Sequence, residues 1–332
     1  MDNITKEIKN ISNKNSVLIL SFLGLTVLFT GIVETIINIS ASGELQKYEM
    51  LLVAVIQYFA ALPLAVLMVS FKERRSLSVK LRSLFCRPSA SKKDIAKWIM
   101  ISLFFVYATS YFTSFLFEII QLVFKIELNS IDFTAENSAL GIFTNIFFMV
   151  ISAPICEEIF FRGILSSRTG EYGTWAAVIS TGILFGLFHM NYAQVFYASM
   201  LGFCSAFMLF KTRSLIPSLI LHLSLNTIGA AQSIAAINVD VEKLNQGDTE
   251  YIVSNISAIM PILAITLLVI AIMITGLVFL VLELQNSKEK FRLENNNTTI
   301  SEVQKTKIYF LTPTTIITVV ILIAITIINA LM

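Results

Sequence analysis

Glu157 and Glu158 stand side by side in an apolar run from 139 to 168, and Arg162 follows Glu158 by four positions. The only two histidines, His189 and His222, also lie in apolar runs, and Asn226 follows His222 by four. Residues four apart share one face of a helix, so Glu158 can pair with Arg162 and His222 aligns with Asn226. Phe185 and His189 share a face in the same way. Glu157 is rotated by about 100° from Glu158 and has no cation at helical spacing. A carboxylate without a fixed cation can serve as a general base, and an imidazole can help orient and activate a water. An imidazole and a carboxamide aimed at one place are donor types that stabilise an oxyanion.

These groups admit other chemistry. Glu157, His189 and His222 could form a His₂-carboxylate zinc site, although the chain has no HExxH. Cys156, next to Glu157, could be a nucleophile, although a buried membrane cysteine usually acts as a small apolar residue. Buried Glu and His also mark proton or solute pathways. A non-catalytic immunity or peptide-binding protein could hold the same groups. So could a purely structural network of interhelical hydrogen bonds.

The elements that must position these residues follow from hydropathy. Of 332 residues, 56% are hydrophobic and 14% charged, against about 45–50% and about 25% in soluble domains. The excess falls in nine long apolar runs, near 17–39, 50–71, 98–124, 139–168, 173–190, 192–210, 214–237, 257–282 and 308–331. Only helices and closed barrels satisfy their backbone in lipid, and these runs are too long and uniform for barrel strands. The expectation is an all-α, polytopic transmembrane helical bundle of about nine spans, with its active site among the helices. The first run is too long for the apolar core of a cleavable signal peptide, and reads as a retained span. Cys86, Cys156 and Cys204 show neither a metal-ligand nor a disulfide pattern.

Basic residues concentrate in the loop 72–97, in Lys211–Arg213 and in Lys288–Lys307, whereas 40–49, 125–138 and 238–255 are poor in Lys and Arg. The positive-inside rule then puts the N-terminus in the cytoplasm. The basic loop reads as a topology signal rather than a nucleic-acid site. The net charge of +2 says little about partners. Glu34 and Glu118 are expected near the membrane interface, Asn145 in a core hydrogen bond, and Trp98 and Tyr309 as interfacial aromatics at span ends. The stretch 288–307 reads as a solvated linker, followed by a last span that is an addition to the core.

Depth tests whether the polar groups can meet. At the rise of a helix, Glu157 lies roughly 16 Å from the cytoplasmic end of its run, His222 roughly 12 Å and Asn226 about 18 Å. His189 comes out at about 24 Å. Residues 173–210 are short for two spans and a turn, so a short, tilted hairpin with the tip His189-Met190-Asn191-Tyr192 buried in protein would reconcile the depths. Pro154 is expected to kink its helix and open space.

Three motifs occur in order. Glu157-Glu158-Ile159-Phe160-Phe161-Arg162 fits EExxxR, Phe185-Gly186-Leu187-Phe188-His189 fits FxxxH, and His222-Leu223-Ser224-Leu225-Asn226 fits HxxxN. In order, interval and intramembrane placement they resemble the CPBP family, which includes type II CAAX prenyl proteases and bacterial Abi proteins linked to bacteriocin processing or immunity. The resemblance covers about residues 140–230. It implies a metal-free, cofactor-free glutamate-type intramembrane endopeptidase. In that scheme Glu157 and His189 activate water, and His222 and Asn226 form the oxyanion hole. Glu158, Arg162 and Phe185 support them. The implied partners are a peptide or membrane-anchored protein substrate and the lipid bilayer, with no nucleic acid. The expected organisation is a three-span region 1–138, a catalytic core 139–237, and a two-span region 238–332 containing the polar linker 283–307. Richness in Ile, Asn and Lys hints at a bacterial cell membrane.

Overall fold

The computed structural model describes residues 2–40, 45–129, 137–286, 292–293 and 300–332, and every regular element among them is helical. Most of the linker expected at 283–307, including the Asn-rich stretch 295–299, lies outside the described residues.

Helix α1 runs over Asp2–Ile39. Helix α2 (Glu49–Ile56) passes through a wider π-helical turn, Gln57–Ala61, into α3 (Leu62–Ser70). A short amphipathic helix, α4 (Arg74–Leu84), leads to α5 (Lys92–Phe124). Then follow α6 (Ala139–Gly170), α7 (Thr174–Phe188), α8 (Tyr192–Thr212) and α9 (Ile216–Ala236). The chain closes with α10 (Ile256–Asn286), α11 (Glu302–Phe310) and α12 (Pro313–Leu331). Side-chain caps start several of these. Ser91 accepts from the Asp94 amide, Ser138 from Gly141, Asn191 from Ala193 and Thr312 from Thr315. Each oxygen satisfies one of the amides that a helix leaves open at its first turn.

Eight helices among the described residues are long and apolar enough to cross a membrane. The fifth apolar run, 173–190, behaves differently. It forms α7, of 15 residues, which is about 22 Å long and short of the roughly 30 Å hydrocarbon thickness. It ends at the polar tip, where Met190 takes a left-handed φ of 49° and Asn191 is buried. So the 173–210 stretch is a hairpin with one short arm. Its arms approach closely because Gly182 and Gly186 of α7 and Gly202 of α8 leave room at the contact. A Cβ on Gly202 would lie 2.7 Å from Gly182 Cα, and one on Gly186 would lie 2.2 Å from the Val195 carbonyl. Small residues permit this kind of approach between membrane helices.

Helix α6 is continuous but carries two π-helical segments, Ile146–Ser152 and Glu158–Ser166. Pro154 has no amide to give, and just before it Ser152 Oγ donates to Phe147 O and Phe148 O. An aromatic core locks α1, α6 and α7 together. Phe22 stacks on Phe188 at 5.3 Å, and Phe161 meets Phe185 edge-on at 4.9 Å.

Three expectations about the flanks need correction. Tyr309 is fully buried, and its hydroxyl accepts from Asn15 Nδ2, so it ties α11 to α1 instead of sitting at the interface. Trp98 is buried too, edge-on to Phe207. Within the supposed solvated linker, Lys305 is 1% exposed and donates to Glu302 at 2.6 Å. The last span is integrated with the bundle. Ser12 bonds to Thr312 and Thr315, Ser16 bonds to Thr315, and Asn329 donates to Met190 O. Hydroxyl and amide groups of this kind join membrane helices by roughly 0.6–2 kcal/mol each.

Candidate active site

Glu157 occupies the short α-helical stretch between the two π segments of α6, near the helix middle. It is 8% exposed. Its Oε1 accepts the Tyr58 hydroxyl proton at 2.6 Å, and its Oε2 stands 3.7 Å from His222 Nε2. Tyr58 comes from the π turn between α2 and α3 and stacks near Phe148.

Glu158 is fully buried one residue on and turns to a different set of partners. His222 Nδ1 lies 3.0 Å from its Oε1, and Arg162 Nη1 lies 3.4 Å from the same oxygen. A carboxylate oxygen only accepts, so His222 Nδ1 carries the hydrogen there. The imidazole therefore bridges the two glutamates, Nδ1 on Glu158 and Nε2 towards Glu157. Arg162 is held by more than the ion pair. Its guanidinium lies 4.2 Å over the Phe185 ring, and Nη2 reaches Leu201 O at 3.5 Å.

Phe185 is the hub of the site. Arg162 covers its face, His189 meets it edge-on at 4.9 Å and His222 at 5.7 Å. His189 Nδ1 is 2.8 Å from Phe185 O, so the hydrogen sits on Nδ1 and, in the neutral ring, Nε2 keeps its lone pair. Both Glu157 and His222 lie within electrostatic reach of His189. The short helix α7 thus presents Phe185 and His189 on one face to α6 and α9.

Asn226 is one turn beyond His222 on α9. Its Nδ2 donates to Met149 O at 2.7 Å, in the first π segment. A second rung above it joins Asn145 to Ser233 at 3.1 Å, a core hydrogen bond as expected from the sequence. Helices α6 and α9 are therefore laced antiparallel, by Asn145–Ser233, Asn226–Met149 and His222 with the glutamate pair.

The structure brings Glu157, Glu158, Arg162, Phe185, His189 and His222 to one place. Asn226 lies on the same helix, with one amide hydrogen committed to the backbone. Sequence reasoning missed Tyr58. The only signal was a Gln-Tyr pair, Gln57–Tyr58, inside an otherwise apolar run. Among the described residues, no three His, Cys, Asp or Glu side chains converge as a metal-ligand set would.

Fold and site together define a polytopic helical membrane protein with a cluster of acid–base side chains enclosed by its helices. Residues 139–228 match the family model described as Type II CAAX prenyl endopeptidase Rce1-like, and the three motifs lie within the matched segment. The residues gathered around Phe185 fall within the matched segment, and Tyr58, the partner of Glu157, lies outside it. Neither the characterised proteins nor the solved structures compared with the chain give a match.

Proposed function

We propose that the protein is an intramembrane endopeptidase that hydrolyses a peptide bond with a water activated by Glu157 and His189. The water lies between Glu157 and the free Nε2 of His189. It gives one proton to Glu157 as its oxygen adds to the carbonyl carbon. The tetrahedral oxyanion is held by His222 and by the second amide hydrogen of Asn226. Glu157 then passes the proton to the leaving amine, and the C–N bond breaks. Glu158 and Arg162 fix the His222 ring, and Phe185 fixes His189 through its carbonyl. The chemistry is complete in side chains and water, so cleavage is expected to survive chelators.

One observation carries this reading: the chain of close polar contacts Tyr58–Glu157–His222–Glu158–Arg162. One carboxylate stands at each ring nitrogen of His222, Glu158 at Nδ1 and Glu157 at Nε2, so the ring can offer an N–H from either side. A structural tie between helices would not need two carboxylates on one imidazole.

The substrate class is a peptide precursor or a membrane-anchored protein. The test compares membrane peptides from cells carrying the wild type with those carrying Glu157→Gln. A product present only with the wild type supports the proposal and names the substrate. Identical peptide profiles, alongside a phenotype that survives Glu157→Gln, would sink it in favour of a binding or immunity role.

A further inference from the structure

A groove of about 330 Å³ runs between α3 and α4. From α4 it is lined by Arg74, Leu77, Ser78, Leu81 and Arg82, which recur every three or four residues and so form one helix face, and Phe85 follows at the helix end. From α3 come Val66, Leu67 and Ser70. The floor is apolar, and the two arginines stand at the rim. Leu67 and Phe85 are exposed large hydrophobics. Helix α4, with 11 residues and four cations, follows a membrane-length stretch and cannot itself span. Its pattern of apolar and basic residues is that of an amphipathic helix suited to the edge of a hydrocarbon layer.

The charges differ from their neighbours. Lys80 is paired with Glu171, Lys14 with Glu73, and Arg168 with Glu73 and Ser70. Arg74 and Arg82 have no carboxylate partner among the described residues. Arg74 lies over the Phe71 ring and donates to Phe71 O, which leaves most of its donors open.

We propose that this groove binds an anionic phospholipid, with its phosphate against Arg74 and Arg82 and an acyl chain along Leu67, Leu81 and Phe85. A free phosphate would leave the apolar floor uncovered. A zwitterionic lipid would bring a second cation against two arginines. Residues of the groove also touch α6, and the end of α4 reaches the residue before α9. Ser70 accepts from Arg168 of α6 at 2.8 Å, and a Cβ on Gly163 would lie 2.6 Å from Leu81. At the far end of α4, Leu84 O accepts from Leu215 N at 2.7 Å, just before α9 begins. A lipid seated in the groove therefore braces the piece that joins the helices of Glu157 and His222. That effect on catalysis rests on the protease reading, whereas lipid binding does not.

The experiment melts the purified full chain in detergent with added phosphatidylglycerol or phosphatidylcholine. Phosphatidylglycerol is expected to raise Tm by about 3 °C, as ligands of the folded state do, and phosphatidylcholine to leave it unchanged. The response should vanish in Arg74→Gln/Arg82→Gln and persist in the charge-matched Arg75→Gln/Arg87→Gln, outside the groove. Equal responses to the two lipids, or equal loss in both double variants, would overturn the proposal. If the first double variant does not fold, Ser78→Trp fills the groove from its exposed rim and keeps both arginines. It must also lose the response, and a retained response overturns the proposal. Glu157→Gln should melt with the wild-type lipid response, so failure of the protease reading and failure of this one are separate results.

Discussion

At the scale of single residues, the Tyr58 hydroxyl donates to Glu157 Oε1 at 2.6 Å and leaves Oε2 facing His222. A hydrogen bond to a charged group contributes about 1.5–3 kcal/mol. Tyr58→Phe keeps the ring packing on Phe148 and removes only that bond. In the proposed reaction kcat is expected to fall about 10- to 100-fold with KM little changed, because the lost contact orients a reacting group. Steady-state kinetics on the cleaved peptide checks this. A rise in KM with kcat unchanged would assign Tyr58 to substrate binding. Glu157, Glu158, Arg162, His189 and His222 were legible beforehand because ionisable side chains are rare in apolar runs, and their spacing tells which of them share a face. The bridging of His222 between two carboxylates was not legible. Spacing along α6 separates Glu157 from Glu158 by rotation, and only the placement of α9 shows that one ring spans the gap. Tyr58 was hidden for a related reason: tyrosine is ordinary in membrane helices, and its partner lies 99 positions away.

At the scale of elements, the hairpin of α7 and α8 sets where His189 can be. Its shortness could be read from run length, and α7 is indeed 15 residues long. The glycine contact was not read, although Gly182 and Gly186 stand four apart. Glycine spacing acquires meaning only against the facing surface of α8. A Cβ on Gly186 would fall 1.9 Å from Ser199 Oγ and 2.2 Å from Val195 O, a backbone atom that cannot swing aside. Gly186→Ala is expected to cost about 1–3 kcal/mol through forced separation of the arms. Gly229→Ala in α9 is the matched control, because nothing lies within 4 Å of its Cβ. Helix propensity alone makes that change neutral or stabilising, by up to about 1 kcal/mol. Melting of the two variants side by side tests the contrast, and equal Tm values would remove the close-packing argument.

At the scale of the whole molecule, the segment after residue 300 reads from sequence as an appendage because its charges suggest solvent. Burial reverses that. Glu302 accepts from the Ala176 amide at 2.8 Å, in the first turn of α7, and Lys305 holds Glu302 at 2.6 Å while itself 1% exposed. At the opposite end of α7, Asn329 donates to Met190 O at 2.9 Å, one residue past His189. Helices outside the family-matched segment thus grip the His189 helix at both ends. Glu302 also suits its place electrostatically, since a helix N-terminus favours an anion. Removing Lys305 as Lys305→Met leaves a poorly exposed carboxylate without its cation, which is expected to cost about 3–5 kcal/mol. Adding Glu302→Gln should return part of that loss, because an amide oxygen still accepts from Ala176 without carrying a charge. The coupling between the two changes, read from melting of the wild type, both single variants and the double, isolates the ion pair. Additive losses would mean that the segment contributes packing alone. A negative coupling matched by recovery of peptide cleavage in the double variant would place the linker's buried charge pair among the determinants of where His189 sits.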